Sequence, residues 1–233
     1  RVIAPTVCRS ASEPLSLRSW TSNPFSTVSA SAPVVVSQVF GGYSGFVELH
    51  NRTQSVVSIN GWSLQISSGS ASQWQVIPLA GTIAPGAFFL VRSSVASPSG
   101  ATFDLASGFA VANSNGKVAL VRGTLVLAGA CPGDSSIVDF VGLGSSSCAE
   151  NRNTVPALTP ATSAVRKDRG CTDRDDNAAD FDIVSPSPRD LRAVQRFCVI
   201  SDEGVRIARH GKALARIEAL ALTDATDTGT TAL

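Results

Sequence analysis

Charge is scarce in this chain of 233 residues: Asp, Glu, Lys and Arg make up 16% of it and sum to +1. So small a surplus gives no general field to draw in nucleic acid or an anionic membrane, and neither is expected as a partner on charge grounds. No apolar run approaches the ~20 residues that span a bilayer, so no transmembrane segment is predicted. The start of the chain also lacks the apolar core of a secretory signal. It opens on Arg1, which reads as a fragment or a processed product. Histidine occurs twice, at His50 and His210, far in sequence from every cysteine, and no two cysteines stand in C-x-x-C spacing. The usual zinc spacings are therefore excluded.

What is present is Ser, Thr, Gly, Ala and Pro, with a hydrophobic share of 43% that is enough for a real core. The five cysteines are best explained by disulfides, which imply an oxidising compartment and leave one thiol over. Cys131 and Cys148 flank a strand and its loop, and a bond between them would contribute roughly 3 kcal/mol on the chain-entropy model. Cys171 competes for either partner. Cys8 and Cys198 form the second expected pair, tying the start of the chain to its C-terminal part.

Residues 1–32 are rich in Ser and Pro without sustained periodicity and read as a linker or lead-in. Order begins at Val34-Val35-Val36-Ser37-Gln38-Val39-Phe40, a β-branched run stopped by Gly41-Gly42. Phe46 to His50 alternates, as does Trp62-Ser63-Leu64-Gln65-Ile66 after the turn signal Asn60-Gly61. Further strands are expected at Trp74–Val76, Ala87–Val91, Lys117–Val121 and Ile137–Val141. At least seven short strands between turns, with no room for crossover helices, predict an all-β antiparallel sandwich. Beyond residue 191 the character changes. Val205, Ile207, Leu214 and Ile217 recur at near-helical spacing between Arg206, Arg209, Lys212 and Arg216. Residues 192–233 are thus expected to carry an amphipathic helix over Glu203 to Leu222, packed on the sandwich or facing a partner or a membrane surface. Disorder is expected in the last residues, 223–233.

Several of these segments in order resemble the lamin-tail domain as it occurs in secreted bacterial proteins. They are Phe46 to Asn51, Ile59 to Leu64, Gly81 to Gly86, Gly116 to Val121, Val138 to Gly142, and the run from Gly170 to Phe181. The resemblance covers about residues 33–191. It implies an immunoglobulin-like β-sandwich without catalytic activity, an interaction module that often accompanies extracellular nucleases or phosphatases. Trp62 is expected as a core anchor, large enough to reach across two sheets about 10 Å apart.

The most suggestive chemistry lies in Asp173-Arg174-Asp175-Asp176-Asn177-Ala178-Ala179-Asp180. Asp173, Asp175, Asn177 and Asp180 offer oxygens at spacings that suit calcium. The EF-hand pattern is broken, with Ala178 at its glycine position and Val184 where a bidentate glutamate belongs. The alternative is a turn in which Asp and Asn accept backbone N–H bonds and Arg166, Lys167, Arg169 and Arg174 neutralise the acids. No other cofactor is expected. Neither histidine belongs to a nucleophile elbow, and Glu48 with Asp139 or Asp134 shows no sign of a glycosidase cleft. Gly41-Gly42-Tyr43-Ser44-Gly45 opens no helix and so is no phosphate cradle. Asn51-Arg52-Thr53 satisfies the glycosylation sequon, or is a polar turn. The expected role is an extracellular or cell-surface module for a protein or surface ligand. The alternative is a calcium- or carbohydrate-binding accessory piece of a larger secreted hydrolase.

Overall fold

The computed structural model of the chain describes residues 32–94 and 102–198. The lead-in 1–32 lies almost wholly outside the described residues, as do Cys8 and the segment 203–222 for which a helix was expected. Among the described residues twelve strands form: β1 Val34–Phe40, β2 Phe46–Asn51, β3 Val57–Ser58, β4 Ser63–Ser68, β5 Gln75–Pro78, β6 Thr82–Ile83, β7 Phe88–Ser93, β8 Leu105–Ser107, β9 Gly116–Val121, β10 Ile137–Gly142, β11 Ser163–Arg166 and β12 Phe181–Val184. They make a six-stranded sheet in the order β12-β11-β1-β2-β7-β8 and a four-stranded sheet in the order β10-β9-β4-β5, with a small β3-β6 pair. This is the immunoglobulin-like β-sandwich. One pairing departs from the antiparallel expectation, since β8 runs parallel to β7 with Val91 opposite Leu105.

The core lies between the two larger sheets and follows from period-two alternation. Val47 and Leu49 of β2, Leu64 and Ile66 of β4, and Val118 and Leu120 of β9 all enter it. Trp62 continues the β4 face but is only partly buried, with the Arg122 guanidinium 5.5 Å from its ring. It sits at the margin of the core, one residue before the strand begins, so the expected anchor role falls instead to residues inside the strands.

Alternation alone would leave the other strand faces wet, yet both are covered. Residues 122–136 fold back over the four-stranded sheet, where Ser63 Oγ donates to Gly123 O at 2.6 Å and Gln65 Nε2 to Leu125 O at 2.8 Å. A second apolar cluster of Trp74, Val121, Leu127, Ile137 and Phe140 forms beneath this cover. Residues 185–198 make a strap over the six-stranded sheet. Ser187 N donates to Gln38 Oε1 at 2.9 Å and Arg196 N to Gly86 O at 2.7 Å. The polar outer residues of these strands are thereby hydrogen-bonded and buried.

Two bulges shape the polar interior. The β9–β10 register shifts between Ile137 and Asp139, and the β1–β2 register shifts between Val36 and Gln38. The first sets Asp139 opposite Leu120, so its carboxylate turns into the core rather than outward. The second lies where that carboxylate arrives, and Val36 N donates to Asp139 Oδ2.

Candidate functional site

The polar centre of the molecule is built around Arg166, the last residue of β11, whose side chain is fully buried. Its place opposite Phe181 points it inward, with the guanidinium 4.6 Å from the Phe181 ring centre. Arg166 Nε donates to Val36 O at 2.9 Å. Nη2 donates to Asp139 Oδ1 and Oδ2 at 2.9 and 2.8 Å, and Nη1 to Asp173 Oδ1 at 3.0 Å. Asp180 Oδ2 stands 3.6 Å from Nη1. The second oxygen of Asp173 accepts from Arg52 Nη1. Glu150 completes the cluster: its Oε1 accepts from Phe140 N at 3.2 Å and its Oε2 from Asn177 Nδ2 at 2.7 Å.

Acids outnumber the guanidiniums here, and their protonation reflects it. Burial raises the Asp139 pKa, with Arg166 opposing the rise. Burial and then repulsion from Asp139 push Glu150 well above the usual carboxylate range. Asp175 rises to about 6 through burial and the nearby charges of Asp173, Asp139 and Asp180. Against the burial that would weaken it, Asp139 and Asp173 hold the Arg166 guanidinium more firmly charged than usual.

The four residues expected to bind calcium are brought close to this cluster but are put to other uses. Both Asp173 oxygens face arginines. Asn177 points into the interior, where its Oδ1 accepts from Gly142 N at 2.8 Å and its Nδ2 donates to Phe140 O at 2.8 Å. Asp180 Oδ2 accepts from Arg174 N at 2.7 Å. Only Asp175 Oδ1 and Asp180 Oδ1 are buried without a partner among the carboxylate oxygens of the described residues. Two of these four residues, Asp173 and Asn177, thus have every side-chain oxygen in contact with protein, and the cation buried beside them is Arg166. Asp139, Glu150 and Asp173 do offer oxygens within 4.8 Å of one another, but Arg166 reaches two of the three. The turn reading describes the loop better. Asp176 Oδ1 accepts from Ala179 N at 3.1 Å to cap Asn177–Asp180, while its Oδ2 takes Asn151 and Asn153.

A second buried group lies on the outer face of β2, under the strap. Glu48 accepts from Ser37 Oγ at 2.6 Å and from Arg189 Nη2 at 2.7 Å, and burial raises its pKa. Glu48 therefore lies on the outer face of the six-stranded sheet, whereas the Asp139 carboxylate, from the four-stranded sheet, lies between the two sheets, so the two acids do not face one another. His50 is stacked on Phe88 with ring centres 4.4 Å apart, and burial lowers its pKa. Its Nδ1 is 3.2 Å from Gly170 O and its Nε2 2.9 Å from Arg196 O, so it links the strap to the loop before Cys171.

Cys131 and Cys148 are joined, across the edge of the second apolar cluster. Cys198, expected with Cys8, is joined instead to Cys171, which fixes the end of the strap beside His50. The sequence contained no local sign of this, because the strap that carries Cys198 back to Cys171 has no strand or helix pattern. Arg166 does neutralise loop acids as expected, reaching Asp173 and Asp180, but its burial and the part taken by Arg52 had no local sign either. The available signal was Asp139 itself, an acid inside an apolar strand that needs a buried partner.

Residues 27–139 match the family model of the lamin tail domain, a non-catalytic immunoglobulin-like family. The match ends within β10, whereas the sandwich continues through β11 and β12, and β11 pairs with β1. No curated protein matches the chain.

Proposed function

We propose that this chain, which carries a lamin tail domain over residues 27–139, is a non-catalytic interaction or scaffolding module that works outside the cell or on its surface. The carrying observation is that the groups with most chemical capacity are engaged in holding the fold. Arg166, Asp139, Asp173, Asn177, Glu48 and His50 each contact protein partners within hydrogen-bond distance. Two disulfides support an oxidising compartment. The loops and uncovered edges are then the surfaces left for recognition, as is usual where a rigid sandwich presents them. Fusion to a secreted nuclease or phosphatase is compatible with this role, the chain serving as the accessory module.

The test is to follow the tagged chain on the cells that produce it. The expected result is a chain open to a membrane-impermeant labelling reagent, with its disulfides intact and short-range cross-links to surface macromolecules. Reduced cysteines in a chain closed to the reagent would overturn the extracellular reading. Hydrolysis of DNA or a phosphate ester by the purified chain would overturn the non-catalytic one.

A further inference from the structure

The turn Gly41-Gly42-Tyr43-Ser44-Gly45 has no part in the buried networks, yet it is tightly built. Gly42 N donates to Val111 O at 2.8 Å, Gly45 N to Gly42 O at 3.2 Å, and Ser93 N to Gly45 O at 2.8 Å. Gly42 has φ +85°, and a β-carbon on Gly41 would run into Asn113 Oδ1 and come within 2.9 Å of Val111 O. Only glycines allow this close approach. The result is a fixed turn that holds Tyr43, the single tyrosine of the chain, 72% exposed.

Tyr43 stands at the wall of an open cleft of about 660 Å³ between this turn, the segment Ala110–Asn113 and the β5 edge of the four-stranded sheet. Among the described residues its lining contains no charged side chain. What it offers is neutral and polar: Ser67, Ser68, Gln73, Gln75 and Asn113, beside a wall contributed by Trp74. Lys117 is not part of the lining: its Nζ stands 5.1 Å from the Trp74 ring centre and is engaged by Ala71 O and Ala130 O, to which it donates at 2.9 and 2.7 Å. Gln75 Nε2 is held on Gly108 O. Asn113 Oδ1 is buried without a protein partner among the described residues.

We infer that this cleft binds an uncharged glycan. A pyranose has an apolar C–H face and a rim of hydroxyls that both donate and accept. An exposed aromatic ring on a fixed turn, beside amides and hydroxyls, matches both features. The volume falls within the range of small-molecule sites, roughly 300–1,000 Å³, and holds a few sugar rings. A charged ligand would find no counter-charge among the described lining residues. The β5 edge is closed to a long added strand, because Pro78 ends it and Gln75 bridges to Gly108. The inference rests on the reading of the chain as a binding module and names the ligand class.

Affinity electrophoresis of the purified chain tests it, using gels cast with hydroxyethyl cellulose, laminarin, xylan or galactomannan, and with alginate and chitosan as anionic and cationic counterparts. The expected result is retardation by at least one neutral glycan, unchanged by high salt. Tyr43→Ala should weaken it at least about tenfold at an unchanged melting temperature, since the ring is exposed. Leu125→Ala, likewise at an exposed residue but away from the cleft, should leave it intact. Retardation by none of the neutral glycans overturns the inference, as does binding that survives Tyr43→Ala. Stronger retardation by a charged polymer, or by a neutral peptide cast in place of the glycan, overturns it too. Failure here with surface cross-linking intact rejects the glycan cleft alone, whereas loss of the surface location rejects the module reading.

Discussion

Arg166 and Asp139 meet inside the sandwich with Nη2 2.8 Å from Oδ2, and neither side chain exposes more than 1% of its surface. They come from strands of different sheets, β11 and β10, so the pair crosses the core. Val36 stands between them, giving its N–H to Asp139 and its carbonyl to Arg166. A buried ion pair alone is a weak stabiliser, because desolvation offsets its attraction. Its force here is in register. The pair forms only if the bulges of β1 and β10 fall where they do, so a slipped strand would bury an unpaired charge.

Arg166→Met should therefore lower stability by about 3–5 kcal/mol, the usual effect of removing one member of a buried pair. Most of that loss comes from leaving Asp139 without its guanidinium and Asp173 with Arg52 alone. Adding Asp139→Asn should recover part of it, a coupling that a double-mutant cycle by urea unfolding would measure. A single variant within about 1 kcal/mol of the parent would show that the network does not hold the sheets in register.

Asp175 predicts the opposite sign. Its pKa of about 6 in the fold exceeds the unfolded value of about 3.9. Its ionisation thus works against folding, fully so above about pH 6, and the penalty fades as pH falls towards about 4. Asp175 also holds φ +54°, a conformation asparagine adopts more readily than most residues. Asp175→Asn should stabilise at neutral pH by about 1 kcal/mol, reduced from the full shift because the side chain is partly solvated. The gain corresponds to about 2–4 °C in melting temperature and should narrow between about pH 7 and pH 4. A constant or reversed difference across that range would assign the effect to the backbone alone.

The strands were legible because their apolar residues recur every second position, as Leu64 and Ile66 do in β4 or Val118 and Leu120 in β9. What covers the other faces was not. Gln65 and Glu48 read as solvent-facing positions of alternating strands, yet both are buried under segments without periodicity. A bulge is equally silent in one sequence: the extra residue at Val138–Asp139 changes which face the carboxylate takes without changing composition. The Asp173–Asp180 loop was recognised as special for its oxygens. Its partners, Arg52 and Arg166, lie 121 and 7 residues from Asp173, and only the fold brings the first of them near.

Calcium at millimolar concentration should leave the melting temperature unchanged. Asp173 is bridged by two arginines and Asn177 is turned into the core, so an ion would have to displace a guanidinium to gain its ligands. Differential scanning fluorimetry with calcium and with magnesium as a control checks this. A calcium-specific rise of several degrees that Asp180→Asn abolishes would restore the ion to the loop through the unpartnered Asp180 oxygen.

The Cys171–Cys198 bond should be the fastening of the strap. It closes a separation of 27 residues, worth about 3–4 kcal/mol on the chain-entropy model. Non-reduced peptide mapping should find Cys171 linked to Cys198, and a Cys8–Cys198 peptide would refute the pairing. In Cys171→Ser the sandwich core should persist, because β4 and β9 lie in the other sheet, away from this bond. The amide of Arg196, which donates to Gly86, should then exchange faster by orders of magnitude, while those of Leu64 and Leu120 keep their protection. Uniform loss of protection across both sheets would mean that the strap is part of one cooperative unit with the core. Unchanged exchange at Arg196 would mean that Glu48–Arg189 and His50 hold the strap without the disulfide.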